Sequence, residues 1–186
     1  LRRSRGLGDV YKRQIKRSIM SYEPITLPDR VQLPEDEAIQ KSENFFKYMC
    51  QRHSVRDFDS NPISKEIVEN IIATAGRAPS GANQQPWHFV AIEDFSMKKL
   101  IREAAEEEEK NFYSGGASDE WISALEPIGT GVLKPHLTEA PWLIVVFAER
   151  YGINEDGSRR KNYYVPESVG IAMGFLIAAI HNAGLV

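Results

Sequence analysis

The stretch APSGANQQPWHFVAIED, residues 78–94, decides the fold because it contains a loop followed directly by a strand. Its first half carries two prolines and a glycine, which is the composition of a functional loop or of an ordinary connecting turn. A turn at Gly81 would leave backbone N–H groups free to face a ligand. HFVAIED then has the length and composition of a short strand.

Helical patterns flank this strand on both sides. In SKEIVENIIATAG, residues 64–76, apolar side chains recur at helical spacing before a closing glycine, at Ile67, Ile71, Ile72, Ala75 and Gly76. In SMKKLIREAAEEEEKNFY, residues 96–113, the pattern predicts a helix that opens at Ser96 and directs four apolar residues inward, Leu100, Ile101, Ala104 and Ala105. A further helix is predicted over residues 37–52.

The second half of the chain adds a strand and a helix. APWLIVVFAE, residues 140–149, predicts a central strand buried on both faces, and INEDGSRRK, residues 153–161, predicts a polar loop. PESVGIAMGFLIAAIHNAGLV, residues 166–186, predicts an almost entirely apolar helix, with Pro166 in its first turn. Such a helix suits a core or an interface, and its uninterrupted apolar run is too short for a membrane span. This alternation predicts an α+β fold, a small mixed sheet wrapped by helices.

The composition fits one globular domain, since the 186 residues are 42% hydrophobic and 26% charged. The net charge of −3 is uneven, because residues 1–19 carry seven Lys or Arg and one Asp, which leaves −9 on residues 20–186. A basic terminus suits a nucleic-acid arm or a targeting peptide. However, DVYKRQ, residues 9–14, reads like a translated sequencing adaptor. We therefore expect residues 1–19 to be a non-native or disordered leader and residues 20–186 to form the domain.

Metal and disulfide chemistry are not indicated by the sequence. Cys50 is the single cysteine, and the four histidines are scattered, with no two at metal-ligand spacing. We therefore expect no metal site and a reducing, cytoplasmic setting. Because residues 20–186 are acidic, a nucleic-acid partner is not expected either.

Two polar stretches could carry chemistry. In RHSVRDF, residues 52–58, an extended chain would place Arg52, Ser54 and Arg56 on one face, as donors for a phosphate. A solvated basic edge is the simpler explanation. In EEEEKNFY, residues 106–113, four carboxylates precede an aromatic pair, and a solvated helix face is again the simpler explanation.

Together, RHSVRDF and APSGANQQPWHFV, at this separation, resemble the FMN-dependent nitroreductase superfamily. IREAAEEEEKNFY, LKPHLTEAPWLIVVF and NYYVPESVGIAMGFLIAAIHNAGLV are similar, in the same order, to its iodotyrosine deiodinase branch. The resemblance covers residues 45–186. It implies a nitroreductase-like fold, FMN as cofactor and a homodimer. It also implies that the C-terminal part of that fold, with a hydroxyl residue near flavin N5 and a further Arg, is missing from this chain.

The resemblance assigns roles to residues that bind the substrate. It implies that Glu109, Tyr113 and Lys134 hold the zwitterion of a halogenated tyrosine, and that the backbone N–H of Ala82 reaches its phenolate oxygen. Glu109 and Tyr113 are four residues apart, so a helix would place them on one face. The remaining acids of the run, Glu106, Glu107 and Glu108, are then expected to face solvent.

The resemblance likewise assigns the cofactor site. It implies that Arg52 and Ser54 contact the phosphate and nearby polar atoms, that Arg56 lies at the pyrimidine edge and that Ser80 touches the flavin. His53 stands where the family usually has a second Arg, and it can still donate from a backbone or ring nitrogen.

The favoured function is therefore FMN-dependent reductive dehalogenation of a halotyrosine, with NAD(P)H or a reductase chain as electron donor. No residue is predicted to be catalytic, because the flavin carries the chemistry. Two alternatives stay open. A general FMN-dependent nitro or quinone reductase would not need a clamp for an amino acid, and a non-catalytic protein that binds flavin and halotyrosine would release no halide.

Overall fold

The computed structural model describes residues 32–186, so the predicted leader at residues 1–19 lies outside the described residues. The chain divides into two units, Leu1–Phe45 and Phe46–Val186. The helices are α1 (Glu35–Met49), α2 (Lys65–Ala75), α3 (Phe95–Asn111), α4 (Asp119–Leu125), α5 (His136–Glu139) and α6 (Val165–Asn182). The strands are β1 (Trp87–Ile92), β2 (Leu143–Ala148), β3 (Tyr151–Ile153) and β4 (Arg159–Lys161).

Helix α2 confirms the prediction from its apolar spacing. Ser64 caps its start by accepting a hydrogen bond from the Glu66 backbone N–H at 3.3 Å, and Gly76 follows its end. Ile71 and Ala75 are buried and form the core together with Leu176 of α6. Strand residues pack onto the same cluster, namely Phe89, Ile144 and Val146. The core therefore lies between α2, α6 and the β1–β2 pair.

Both predicted strands form, and in the described residues they pair with each other. Strands β1 and β2 form an antiparallel ladder that runs from Trp87 opposite Ala148 to Ile92 opposite Leu143. Within the described residues, β2 pairs with β1 alone, and its side chains are half-buried or exposed. The prediction of a central strand buried on both faces was therefore wrong. An apolar run indicates that a strand is hydrophobic, but it does not indicate how many strands pair with it.

The polar loop predicted for residues 153–161 is confirmed at residues 154–158, but Ile153 and residues 159–161 belong to the strands of the hairpin β3–β4. The turn closes with a hydrogen bond from the Asn154 backbone N–H to the Ser158 carbonyl at 2.9 Å. Gly157 has a φ of 80°, a backbone angle that glycine adopts without strain. The Asp156 carboxylate accepts two hydrogen bonds from Ser158, which lower its pKa. The polar composition of residues 153–161 therefore predicted the turn but not the two short strands that flank it.

Helix α6 contains Pro166 in its first turn, as predicted. One face, which includes Ala172 and Leu176, is buried against α2, whereas Ile171 and Phe175 are exposed by 43% and 41%. Its 18 residues, with a mean hydropathy of 1.2, meet the length and composition of a membrane span. Only 17% of this stretch is buried in the protein, and a single helix of this kind is weak evidence for a membrane span.

Helix α3 begins earlier than predicted. Asp94 caps it by accepting a hydrogen bond from the Met97 backbone N–H at 2.8 Å, so the helix starts at Phe95 and not after Ser96. Leu100, expected to point inward, is 59% exposed. The buried residue of this helix is Lys98, 5% exposed, whose Nζ donates to the carbonyls of Ala140 and Pro141 at 2.8 and 3.2 Å. The inner face of α3 is therefore more polar than its apolar spacing predicted.

Candidate active site

The loop at residues 80–85 has an unusual backbone. Ala82, Asn83 and Gln85 have φ angles of 50°, 52° and 49°, in the left-handed region that non-glycine residues rarely adopt. Gly81 is required by a close approach, since an added Cβ would lie 2.9 Å from the Tyr163 carbonyl oxygen. Strained backbone of this kind persists only where surrounding contacts hold it, and it is common at ligand-binding sites.

Contacts to the N-terminal end of α6 hold this loop in place. Gln84 accepts a hydrogen bond from the Tyr163 backbone N–H at 2.7 Å, and Ser168 accepts one from the Gly81 backbone N–H at 3.2 Å. Ser80, a predicted cofactor residue, accepts a hydrogen bond from the Gln85 backbone N–H at 2.9 Å. Gln84 and Ser168 were not singled out from the sequence, because their partners lie about 80 residues away in the chain.

The backbone N–H of Ala82, predicted to reach a phenolate oxygen, takes part in no hydrogen bond among residues 32–186. Ala82 is exposed. Its φ of 50° is not helical, although Ala82 lies within the short 3₁₀ turn Gly81–Asn83. A fixed and unpaired N–H of this kind is a suitable donor for an anionic oxygen.

The predicted phosphate donors follow the end of α1. Tyr48 anchors this end, because its hydroxyl donates to the His181 carbonyl and its ring lies 4.3 Å from the His181 imidazole. A cavity of about 270 Å³ is lined by Arg52, His53, Ser54 and Val55 together with the C-terminal part of α6 and the residues after it. In the described part of the chain, the guanidiniums of Arg52 and Arg56 make no hydrogen bond or ion pair. These free donors fit a phosphate.

Glu109 and Lys134, two of the three predicted clamp residues, face each other in the structure. The Lys134 Nζ lies 2.9 Å from Glu109 Oε2, and the side chains of Lys134 and Glu109 are 16% and 32% exposed. Glu109 stands near the end of α3, whereas Lys134 stands in the loop before α5. Two opposite charges are thus presented by two separate elements of the fold.

Tyr113, the third predicted clamp residue, lies just beyond α3, in a π-helical turn at Phe112–Gly116. Its hydroxyl donates to the Thr130 carbonyl at 3.1 Å. The ring of Phe112 packs edge-on against Tyr113 and Trp121, with centroid distances of 5.3 and 5.1 Å. These aromatic contacts hold the end of the helix against α4.

Glu106 does not face solvent as expected. Its side chain is 18% exposed, and its Oε1 accepts hydrogen bonds from the Arg102 Nε at 2.6 Å and from the Lys134 backbone N–H at 2.8 Å. The hydrogen bond from Lys134 and then the one from Arg102 lower the pKa of Glu106. Only Glu107 and Glu108 of the three acids are exposed, because one side of α3 faces residues 134–138.

Several charged groups act on the imidazole of His136. Burial lowers the pKa of His136, and the positive charges of Lys134 and Arg56 lower it further. Arg56 and Lys134 therefore act on the same imidazole, although the sequence separates them by almost 80 residues. Glu139 opposes them by raising the pKa of His136, and Lys134 is also paired with Glu109.

The structure brings some predicted site residues together and leaves others apart. Glu109 is joined directly to Lys134, and Arg56 lies within electrostatic range of the Lys134 region through His136. Within residues 32–186, no hydrogen bond or ion pair joins the segment Arg52–Arg56 to the loop at 80–85. No group of three or more potential metal ligands occurs in this described part.

The fold and these donor groups define an α+β domain with free basic donors for an anion and, separately, a facing pair of opposite charges. The chain belongs to the nitroreductase family, whose sequence model matches residues 49–186. This finding confirms the family and the fold expected from RHSVRDF and APSGANQQPWHFV.

Individual relatives are more specific. The chain is 49% identical over 168 residues to an iodotyrosine deiodinase of Haliscomenobacter hydrossis, covering 90% of this chain and 76% of that protein. It is 46% identical over 152 residues to an iodotyrosine deiodinase of Daphnia pulex, covering 82% of this chain and 51% of that protein. The chain thus spans about half the length of the animal relatives it matches.

A solved structure gives the same relationship. The crystal structure of an oxidized iodotyrosine deiodinase bound to FMN and 3-iodo-L-tyrosine matches with a TM-score of 0.66 and 32% sequence identity. The match covers 75% of this chain and 70% of that one.

Proposed function

We propose that this protein is an FMN-dependent oxidoreductase that removes the halogen from a halogenated tyrosine. The observation that carries the proposal is the partly buried pair of Glu109 and Lys134, 2.9 Å apart on two separate elements. An amino-acid zwitterion has the complementary charges, so it can be bound by the same two groups. A reductase of simple planar aromatics has no use for such a pair.

The proposed substrate site uses the predicted residues. Lys134 binds the substrate carboxylate, Glu109 binds its ammonium group, and the Tyr113 hydroxyl adds a hydrogen bond. The free backbone N–H of Ala82 donates to the phenolate oxygen and so fixes the end of the substrate that carries the halogen. The likeness to a solved deiodinase with 3-iodo-L-tyrosine bound supports this substrate class.

The proposed cofactor site uses the free donors described above. Arg52, His53 and Ser54 hold the FMN phosphate and nearby polar atoms, Arg56 lies at the pyrimidine edge, and Ser80 contacts the ring from the loop at 80–85. If FMN is held there in its reduced form, it would supply two electrons which, with one proton from solvent, replace the carbon–halogen bond with a carbon–hydrogen bond and release halide. NAD(P)H or a reductase chain would then reduce the flavin again. The chain itself orients the substrate and excludes water.

The assembly and setting of the protein are part of the proposal. The exposed apolar face of α6, which includes Ile171 and Phe175, suits a second copy of this chain, and we propose a homodimer. We also propose a cytoplasmic protein.

The test is a titration of the FMN-loaded protein with 3-iodo-L-tyrosine, followed by flavin fluorescence. We expect quenching that saturates and a dissociation constant that rises about 10- to 100-fold in Glu109→Gln, since one charge-assisted contact is lost. Glu107→Gln is the matched control, because Glu107 is exposed and pairs only with Lys110 among the described residues.

Two results would contradict the proposal. If 3-iodotyrosine binds no better than a simple nitroaromatic, the general reductase becomes the better explanation. If it binds tightly but the reduced protein releases no halide, the protein binds halotyrosine without turning it over.

A further inference from the structure

Lys134 is attached to α3 at two points and not one. Its Nζ meets Glu109 Oε2 at 2.9 Å, while its backbone N–H donates to Glu106 Oε1 at 2.8 Å. Glu106 and Glu109 are three residues apart, so they lie on the same side of α3. The second contact fixes the main chain of Lys134, and the first fixes the end of its side chain.

Arg102 completes a network around Glu106. Its Nε lies 2.6 Å from Glu106 Oε1, and its Nη1 donates to the Thr138 hydroxyl at 2.9 Å. The Thr138 hydroxyl in turn donates to the Pro135 carbonyl at 2.9 Å. The guanidinium therefore links α3 directly to Thr138 and, through the Thr138 hydroxyl, to Pro135.

This network is not an ordinary surface ion pair. The side chains of Arg102 and Glu106 are 29% and 18% exposed, whereas those of the surface pair Lys65 and Glu69 are 76% and 61% exposed. Exposed pairs one helical turn apart contribute little to stability. Glu106 differs because it also accepts a backbone N–H from another element, 28 residues away.

The charge of Arg102 explains why Glu106 does not pair with the Lys134 ammonium, which pairs with Glu109 instead. Arg102 neutralises Glu106, so this carboxylate does not compete with Glu109 for the Lys134 ammonium. Glu106 instead receives the uncharged backbone N–H. Lys134 is thus held in position through its backbone amide, whereas its side-chain ammonium is the group that binds.

We propose that Glu106, supported by Arg102, is a positioning residue that holds the main chain of Lys134 so that its ammonium meets the substrate carboxylate. This inference rests on the proposed function, because it assigns the ligand of Lys134. Glu106 itself touches no substrate atom, and its effect passes through the backbone of Lys134.

The test compares two ligands that differ by one group. 3-Iodotyramine lacks the carboxylate of 3-iodo-L-tyrosine, so it makes no use of Lys134. In the FMN-loaded protein, Glu106→Ala should raise the dissociation constant of 3-iodotyrosine about tenfold and that of 3-iodotyramine less than about twofold. Glu107→Ala, the neighbouring exposed carboxylate, should change neither constant.

A second variant separates positioning from loss of structure. Glu106→Gln keeps an oxygen that can accept the Lys134 backbone N–H, so it should restore most of the 3-iodotyrosine affinity lost in Glu106→Ala. Equal weakening of both ligands by Glu106→Ala, or a glutamine variant as weak as the alanine variant, would overturn the proposal.

Amide hydrogen exchange of the FMN-loaded protein without substrate keeps this proposal distinct from the function. Glu106→Ala should speed exchange at the Lys134 amide at least about tenfold, since its acceptor is removed, whereas Glu107→Ala should not. Unchanged exchange overturns the positioning role even where 3-iodotyrosine binds tightly. If the unmutated protein binds 3-iodotyrosine no better than 3-iodotyramine, the proposed clamp fails, and with it the role assigned to Lys134.

Discussion

Helices α2 and α3 are both amphipathic in sequence, yet they attach to the protein by different means. Helix α2 packs through Val68, Ile71 and Ala75, and two of these residues share the core with Leu176 of α6. Helix α3 is attached through Lys98, Arg102, Glu106 and Glu109, which contact residues 134–141 by hydrogen bonds and ion pairs.

The difference shows which contacts of this fold a charged ligand can replace and which it cannot. Apolar contacts are non-directional, and a charged ligand has no group that replaces them. Hydrogen bonds and ion pairs are directional, and a charged ligand can replace them with bonds of its own. The chain thus places core residues on α2, and on α3 it places Glu109, one of its candidate substrate residues.

The largest expected effect compares the same substitution in the two regions. Leu176→Ala should lower the free energy of unfolding by about 2–5 kcal/mol, because Leu176 is 4% exposed within the core. Leu100→Ala on α3 should cost about 0.5 kcal/mol or less, because Leu100 is 59% exposed. Chemical denaturation of the two variants measures both values, and equal losses would refute the assignment of the core to α2 and α6.

An intermediate effect is expected at the buried lysine of α3. Lys98→Met keeps the length of the side chain but leaves the carbonyls of Ala140 and Pro141 without their donor. The cost should be about 1–3 kcal/mol, since the carbonyl of the buried Ala140 is left without a hydrogen-bond donor.

Lys99→Met is the control, because Lys99 is 63% exposed and pairs with Glu103 at 3.8 Å. It should cost less than about 1 kcal/mol. Thermal unfolding of the two variants side by side measures the difference. A Lys98→Met protein as stable as Lys99→Met would show that α3 does not depend on this attachment.

The smallest effect concerns the acidity of Glu106. Its pKa in the folded protein is lowered, first by the Lys134 backbone N–H and then by Arg102. Its contribution to stability is therefore fully present above the pKa of the unfolded chain and is lost as the pH falls through the lower, folded value. Glu106→Gln does not titrate, so the stability difference between the two proteins should shrink as the pH is lowered from 5 to 3.

Unfolding midpoints measured across this pH range test the prediction. A difference that stays constant down to pH 3 would mean that Glu106 is not held as a carboxylate by these partners.

The sequence predicts the apolar packing of α2 better than the polar contacts of α3. The spacing of Ile71 and Ala75 leads directly to their burial, because burial on a helix follows its period. The inward direction predicted for Leu100 failed, because Lys98 and Glu106 have partners that lie far away in the chain. The i, i+4 spacing of Arg102 and Glu106 is visible in the sequence, but the bond to the Lys134 backbone N–H depends on how the loop before α5 returns.

The candidate site shows the same limit. Glu109 and Lys134 were assigned by resemblance to a family, and nothing in their spacing predicts a distance of 2.9 Å. The burial of β2 was misjudged for a related reason. Apolar composition indicates that β2 lies in a sheet, but the number of its neighbours depends on the topology of the whole fold.

The left-handed angles of Ala82, Asn83 and Gln85 have a consequence for the order of folding. Each such angle is costly for a residue with a Cβ, so this loop does not adopt its shape in isolation. The contacts that hold it come from Tyr163 and Ser168, about 80 residues later, and their formation requires closure of a long loop of chain. We therefore expect the segment that resembles a flavin loop to take its shape late, after the start of α6 has docked.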